Sequence, residues 1–200
     1  MVKSFLNYVF LESDAVAIEH DDAVTRLKNV VRLGINLPAH VFHKKFARYF
    51  FFDNDICTSD DLINATKLVI GESLGYDLIA NVFTSSDFQY LGDLHMNEDW
   101  VTKIVSLGTE MNDSGDYGGL IILDQKKQWV IFQKSPVDEG VLGVNSNRKI
   151  ETINNVIYEN FVDCEKFKEW LKERTLHDVK LVKSMGRAYL MSIIENYREA

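Results

Sequence analysis

From Tyr117 to Val144 the chain reads YGGLIILDQKKQWVIFQKSPVDEGVLGV, and no other stretch constrains its fold as much. Two apolar runs, Leu120–Leu123 and Trp129–Phe132, flank the polar residues Asp124 to Gln128. Short apolar runs joined by a polar turn predict a buried antiparallel hairpin, and Pro136 and Gly140 set off a third strand over Val141–Val144. The stretch places the core, yet it carries no nucleophile, metal cluster or phosphate loop.

Helical spacing dominates what precedes it. Ala23, Leu27, Val30 and Val31 follow the acids Asp21 and Asp22, which favour a helix N-terminus, and Gly34 supplies a stop. In NLPAHVFHKKFARYFFF, Asn36 as cap and Pro38 in the first turn predict a second helix, with Val41, Phe42, Phe46, Tyr49 and Phe50 on its buried face. A third opens at Thr58 or Ser59 and stops at Gly71. Leu78, Ile79, Val82 and Phe83 suit a short helix, whereas Trp100 to Leu107 fits helix or strand equally. Asn112 to Asp116 reads as a loop into the hairpin. Asp163 caps a helix through CEKFKEWLKER, His177 to Lys183 alternates like a strand, and Met185 to Glu199 closes as an amphipathic helix.

These elements predict one α+β domain over residues 1–200, a central antiparallel sheet with helices packed around it. It is expected to be mostly helical over 1–110, sheet over 117–144 and mixed over 150–200. Hydrophobic content of 46% and aromatic content of 12% support a filled core, and only two prolines occur. The N-terminal MVKSFLNYVFLESD is too short in its apolar run for a signal peptide and is expected to be mature structure. No apolar run approaches the roughly 20 residues of a membrane span. Cys57 and Cys164 suggest neither a disulfide framework nor a zinc ribbon, so both are expected to be free thiols in a reduced, cytosolic setting.

Thirty acids against 22 bases give a net charge of −8, which disfavours a nucleic-acid footprint and suits a basic protein partner. The motifs for catalysis are missing from the sequence. His40 and His43 would share a helix face, but no HExxH or HxxEH pattern supplies further ligands, and two partly exposed histidines are the simpler reading. Asp53 to Asp61 imitates a calcium loop, but Cys57, Thr58 and Asn64 occupy positions that need an oxygen ligand, a glycine and a bidentate Glu. A turn leading into a helix N-terminus fits better. There is no GxSxG, GxxxxGK[ST] or GxGxxG, and no cofactor is expected. Dispersed acid–base carboxylates or histidines keep a small hydrolase or transferase open as an alternative. A phage or structural interaction protein is the other. The leading candidates for recognition are Asp113, Asp116, Asp124, Asp138 and Glu139, expected in exposed loops around a rigid sheet. Turns also favour Asp for backbone reasons alone.

The order of parts also resembles a family. LGINLPAHVFHKKF (Leu33 to Phe46) is similar to the opening helices of the SUKH superfamily, GGLIILD and WVIFQ resemble its central strands, and NFVDCEKFKEWLKE (Asn160 to Glu173) its closing strand end and helix. Many SUKH proteins are immunity proteins that neutralise bacterial toxins, commonly nucleases. The resemblance implies a non-enzymatic, cytoplasmic protein that blocks a basic toxin domain sterically, through its acidic loops, with no direct contact to nucleic acid or membrane. Charge complementarity would speed that encounter.

Overall fold

The structure is a computed structural model, and it describes residues 21–134, 139–148 and 159–198. Its centre is a six-stranded antiparallel sheet built from β1 (Arg48–Phe52), β2 (Ile79–Thr84), β3 (Tyr90–His95), β4 (Leu120–Asp124), β5 (Trp129–Gln133) and β6 (Gly140–Val144). The strands lie in the order β1-β6-β5-β4-β2-β3. The expected hairpin forms, with Ile122 opposite Ile131, and β6 pairs with β5 so that Leu142 faces Ile131. The fold is α+β, as the pattern predicts.

Both faces of the sheet are covered. On one, α2 (Asp60–Leu74) and α3 (Trp100–Asp113) pack Ile63, Ile70, Trp100 and Ile104 onto Ile122, Trp129, Ile131 and Leu142. On the other, α1 (residues 21–28), the chain through Phe46, α4 (Cys164–Trp170) and α6 (Arg187–Asn196) bring Leu27, Phe42, Phe167, Leu190 and Tyr197 onto Phe51, Ile121, Val130 and Val141. Helix α5 (Leu176–Met185) lies between α4 and α6 in the chain and contacts both. Every residue of β4, β5 and β6 is buried. That explains why these strands read as continuous apolar runs: neither face meets water. The glycines of β6 make room for rings. A Cβ on Gly143 would lie 2.8 Å from the Phe46 ring, and one on Gly140 would lie 2.2 Å from that of Phe52.

Helix α2 begins where the sequence places it, with the Ser59 hydroxyl accepting from the Leu62 amide. It passes the expected stop at Gly71 and ends at Leu74, because Gly75 at φ +97° is the residue that takes the left-handed turn. Helix α3 settles Trp100–Leu107 as helical, capped by Asp99. Helix α4 is capped by Asp163 as expected.

Four expectations are overturned. The second helix does not exist. Residues 36–47 form turns and a bridge, Val31 to Phe42, and Arg48–Phe52 is strand β1 paired with β6. Its aromatic run is buried on both faces, so apolar residues recur at helical as well as at strand spacing. The short helix around Leu78–Phe83 is strand β2, in line with its β-branched and aromatic content. The strand expected over His177–Lys183 is helix α5, started by a capping box in which Thr175 and Asp178 satisfy each other's amides. The first helix ends near residue 28 rather than at Gly34, and Val31 then bridges Phe42. The region expected to be mostly helical therefore supplies β1, β2 and β3. The N-terminal MVKSFLNYVFLESD lies outside the described residues.

Candidate functional site

Antiparallel register sorts the loops onto two ends of the sheet. Phe52 faces Gly140, Gln133 faces Gly140, and Thr84 faces Leu120. One end thus gathers the loops that follow β1, β2 and β5 and those that precede β4 and β6. The other end holds the Asp124–Gln128 turn and the starts of β1 and β2.

The first end is acidic. Asp53 and Asp55 follow β1, Asp87 follows β2, Asp113 ends α3, and Asp116 and Glu139 precede β4 and β6. These loops are tied to one another. The Asp116 carboxylate accepts from the Gly118 amide at 2.8 Å and from the Ser86 hydroxyl of the neighbouring loop. Ser85 donates its amide to the Gly119 carbonyl at 2.9 Å. Asp87 accepts from the Thr84 hydroxyl at 2.6 Å and the Gln89 amide at 3.2 Å, and these donors hold its carboxyl below the usual carboxylate range. Gln133, fully buried in β5, accepts the Ile56 amide and donates to the Asn54 carbonyl, each at 2.9 Å. That side chain fastens the loop bearing Asp53 and Asp55 to the sheet. Glu139 accepts from the Tyr189 hydroxyl on α6. Lys134 at the end of β5 is a cation within the same rim.

Asp113, Asp116 and Glu139 therefore lie at the same end of the sheet, Asp113 exposed as the last residue of α3 rather than in a loop, Asp116 half-buried before β4, and Glu139 half-buried and held by the helix of the opposite face. Asp124 is not with them, nor is it exposed. It sits at the opposite end, 1% accessible, with a carboxylate oxygen on the Gln128 amide at 2.8 Å. Burial raises its pKa, while the Gln128 and Lys126 amides and the Lys126 and Lys44 charges pull the other way. The expectation of a solvated loop fails there because the residue belongs to the strand as much as to the turn. Asp138 lies outside the described residues. Asp53 and Asp55 stand out in the sequence only as part of a calcium-like loop, and Asp87 not at all, because only tertiary register brings their loops to the end of the sheet that bears Asp116.

The other groups weighed in the sequence have structural roles. His40 is not on a helix. Its Nδ1–H donates to the Phe42 carbonyl at 2.8 Å, which leaves Nε2 to accept from the Tyr49 hydroxyl at 3.0 Å. Burial lowers its pKa. His43 is exposed. Neither cysteine is in a disulfide, and both are buried. Burial, reinforced by Asp55, pushes the Cys57 thiol up to about 12, far from a reactive thiolate. Asp55 caps the Cys57 amide at 2.8 Å, and α2 follows, so the calcium-like segment is a turn into a helix. Among the described residues no group of three or more His, Cys, Asp or Glu is placed to hold a metal ion, and no helix is long and apolar enough to cross a membrane.

Comparison of the chain with protein-family models, with curated proteins and with solved structures gave no match.

Proposed function

We propose that this protein is a non-enzymatic binding module that presents the acidic end of its sheet to a basic protein partner, and that the partner is a toxin domain whose action it blocks sterically. The observation that carries the reading is the placing of Asp53, Asp55, Asp87, Asp113, Asp116 and Glu139 at one end of a sheet buried on both faces. A rigid acidic surface lowers the ordering cost of association and steers a basic partner toward it. The toxin comes from the SUKH resemblance. Its strand segments correspond to β4 and β5 and its closing segment to the Val162 bridge and α4, while Leu33–Phe46 forms no helix here.

The test is co-expression with the product of the neighbouring gene, together with binding kinetics on the purified pair. The neighbour should arrest growth alone and be neutralised in the presence of this chain. Asp113→Lys with Asp116→Lys should slow association while leaving the far-ultraviolet circular dichroism unchanged. A neighbour that is toxic alone, yet is neither bound nor neutralised, would sink the toxin reading for that pair.

A further inference from the structure

Beside the acidic rim, the outer edge of β1 and the C-terminal helices enclose a cleft that the loop carboxylates alone do not account for. Phe51 exchanges backbone hydrogen bonds with Val162 at 2.7 and 2.8 Å, which ties the stretch before α4 to the sheet edge. Next to that bridge lies a cavity of about 540 Å³ walled by Phe51, Phe161, Phe167, Trp170, Met185 and Tyr189. A second cavity, of about 630 Å³, adjoins it through the shared residues Glu159 and Asn160, and is lined by Asn54, Asp61 and Asn64. The first is within the size range of built ligand sites and has their composition, aromatic walls with a few polar groups.

Its charge is one-sided. Asp53, Glu139 and Glu159 line the apolar cavity, and Asp61 and Glu159 the polar one. Among the described lining residues there is no Lys or Arg. Tyr189 holds Glu139 at the wall by donating its hydroxyl. An anionic ligand would meet repulsion from several carboxylates, and a purely apolar one would leave those carboxylates poorly solvated. A ligand with an apolar stem and a cationic, planar head satisfies both halves of the wall. The arginine side chain is that group: its methylenes pack on apolar surface, and its guanidinium stacks on aromatic rings and pairs with carboxylates.

We infer that the double cleft receives an arginine-bearing segment of the protein partner, the arginine stem lying in the aromatic cavity and its head group facing the carboxylates that line it. This rests on the binding-module reading above, and it names the anchor within that interface. Buried arginines in well-packed pockets are frequent hot spots of association.

The test uses NMR titration of the full chain with a capped hexapeptide, acetyl-Gly-Phe-Arg-Phe-Arg-Gly-amide, and with its Lys and Glu analogues. The arginine peptide should shift the Phe161 and Val162 amides, the Trp170 indole and the Met185 methyl. The lysine peptide should bind several-fold more weakly, and the glutamate peptide should leave these signals in place. Glu139→Gln with Glu159→Gln keeps an acceptor for Tyr189, so the fold is retained, and it should abolish the arginine response. Asp113→Lys with Asp116→Lys should preserve it. Absence of cleft shifts at millimolar arginine peptide, or equal shifts with the glutamate peptide, would overturn the inference. Shifts confined to the Ser86 and Asp116 loops would overturn the cleft while leaving the acidic end as the binding surface. Cleft shifts combined with a partner that ignores the Asp113 and Asp116 reversals would instead leave the anchor standing and remove the rim.

Discussion

Asp124 sits where β4 turns toward β5, with Oδ2 on the Gln128 amide and Oδ1 buried without a hydrogen-bond partner among the described residues. The turn needs an acceptor at this position, and the core disfavours a charge there. Because burial raises the carboxyl pKa in the folded chain, the unfolded chain loses its proton first. Ionisation therefore costs stability as pH rises above the ordinary carboxylate value, about 4. That cost is complete once pH passes the raised folded-state value, and it persists at neutrality. Asp124→Asn keeps an oxygen for Gln128 and removes the charge. The urea midpoint of the variant should exceed the parent's at pH 7, and the two should converge at pH 3. A variant less stable than the parent at pH 7 would show that Lys44 and the turn amides outweigh the burial.

At the scale of elements, β5 holds the molecule together, since it lies between β6 and β4 and contributes to both cores. Ile131 is fully buried, facing Ile122 on one side and Leu142 on the other. Ile131→Ala should cost about 2–5 kcal/mol, the lost transfer energy plus a cavity, read as a lowered chemical-denaturation midpoint. An unchanged midpoint would mean that the neighbouring side chains close the gap without loss. This hairpin was legible because its turn is polar and its strands are apolar throughout, and α2 was legible through Ser59 and the acids that follow. Strand β1 was not. In Arg48–Phe52 four consecutive aromatic residues serve two cores, so the alternation that marks a half-buried strand is erased. Helix α5 misled in the opposite way: Leu176 and Val179 are exposed, and only Val182 is buried, so the apolar spacing carries little structural information. Its signal was Thr175 with Asp178. Of the site, Asp116 and Glu139 could be read as acidic residues between elements, whereas Asp113, read as a turn residue, closes α3. The cleft could not, because it depends on Phe51 meeting Val162 across more than half the chain.

Across the whole molecule the two sheet ends differ in charge. The acidic loops, with Lys134, occupy one end, while at the other Lys44, Arg48, Lys126, Lys127 and Arg148 stand among Glu72, Asp77, Glu98, Asp99 and Asp124. There Lys44 donates to the Lys127 carbonyl at 2.6 Å, and burial together with the Lys127 charge lowers its pKa. A five-residue strand such as β4 separates the ends by about 17 Å, at about 3.4 Å per residue. Physiological salt screens charge over about 8 Å, so a partner docked at the acidic end lies about two screening lengths from the lysines of the other. The two ends should therefore act independently in association. Raising salt should slow capture of a basic partner by the parent chain, because steering is an exposed-charge effect. Lys126→Glu with Lys127→Glu should leave the association rate at physiological salt unchanged and raise it modestly at low salt, where screening reaches further and net negative charge begins to count. Stopped-flow association at both salt concentrations decides the matter. A pronounced fall in rate for the lysine variant, with the Asp113 and Asp116 reversals silent, would place the interface at the Lys126–Lys127 turn and reverse the sign of the partner.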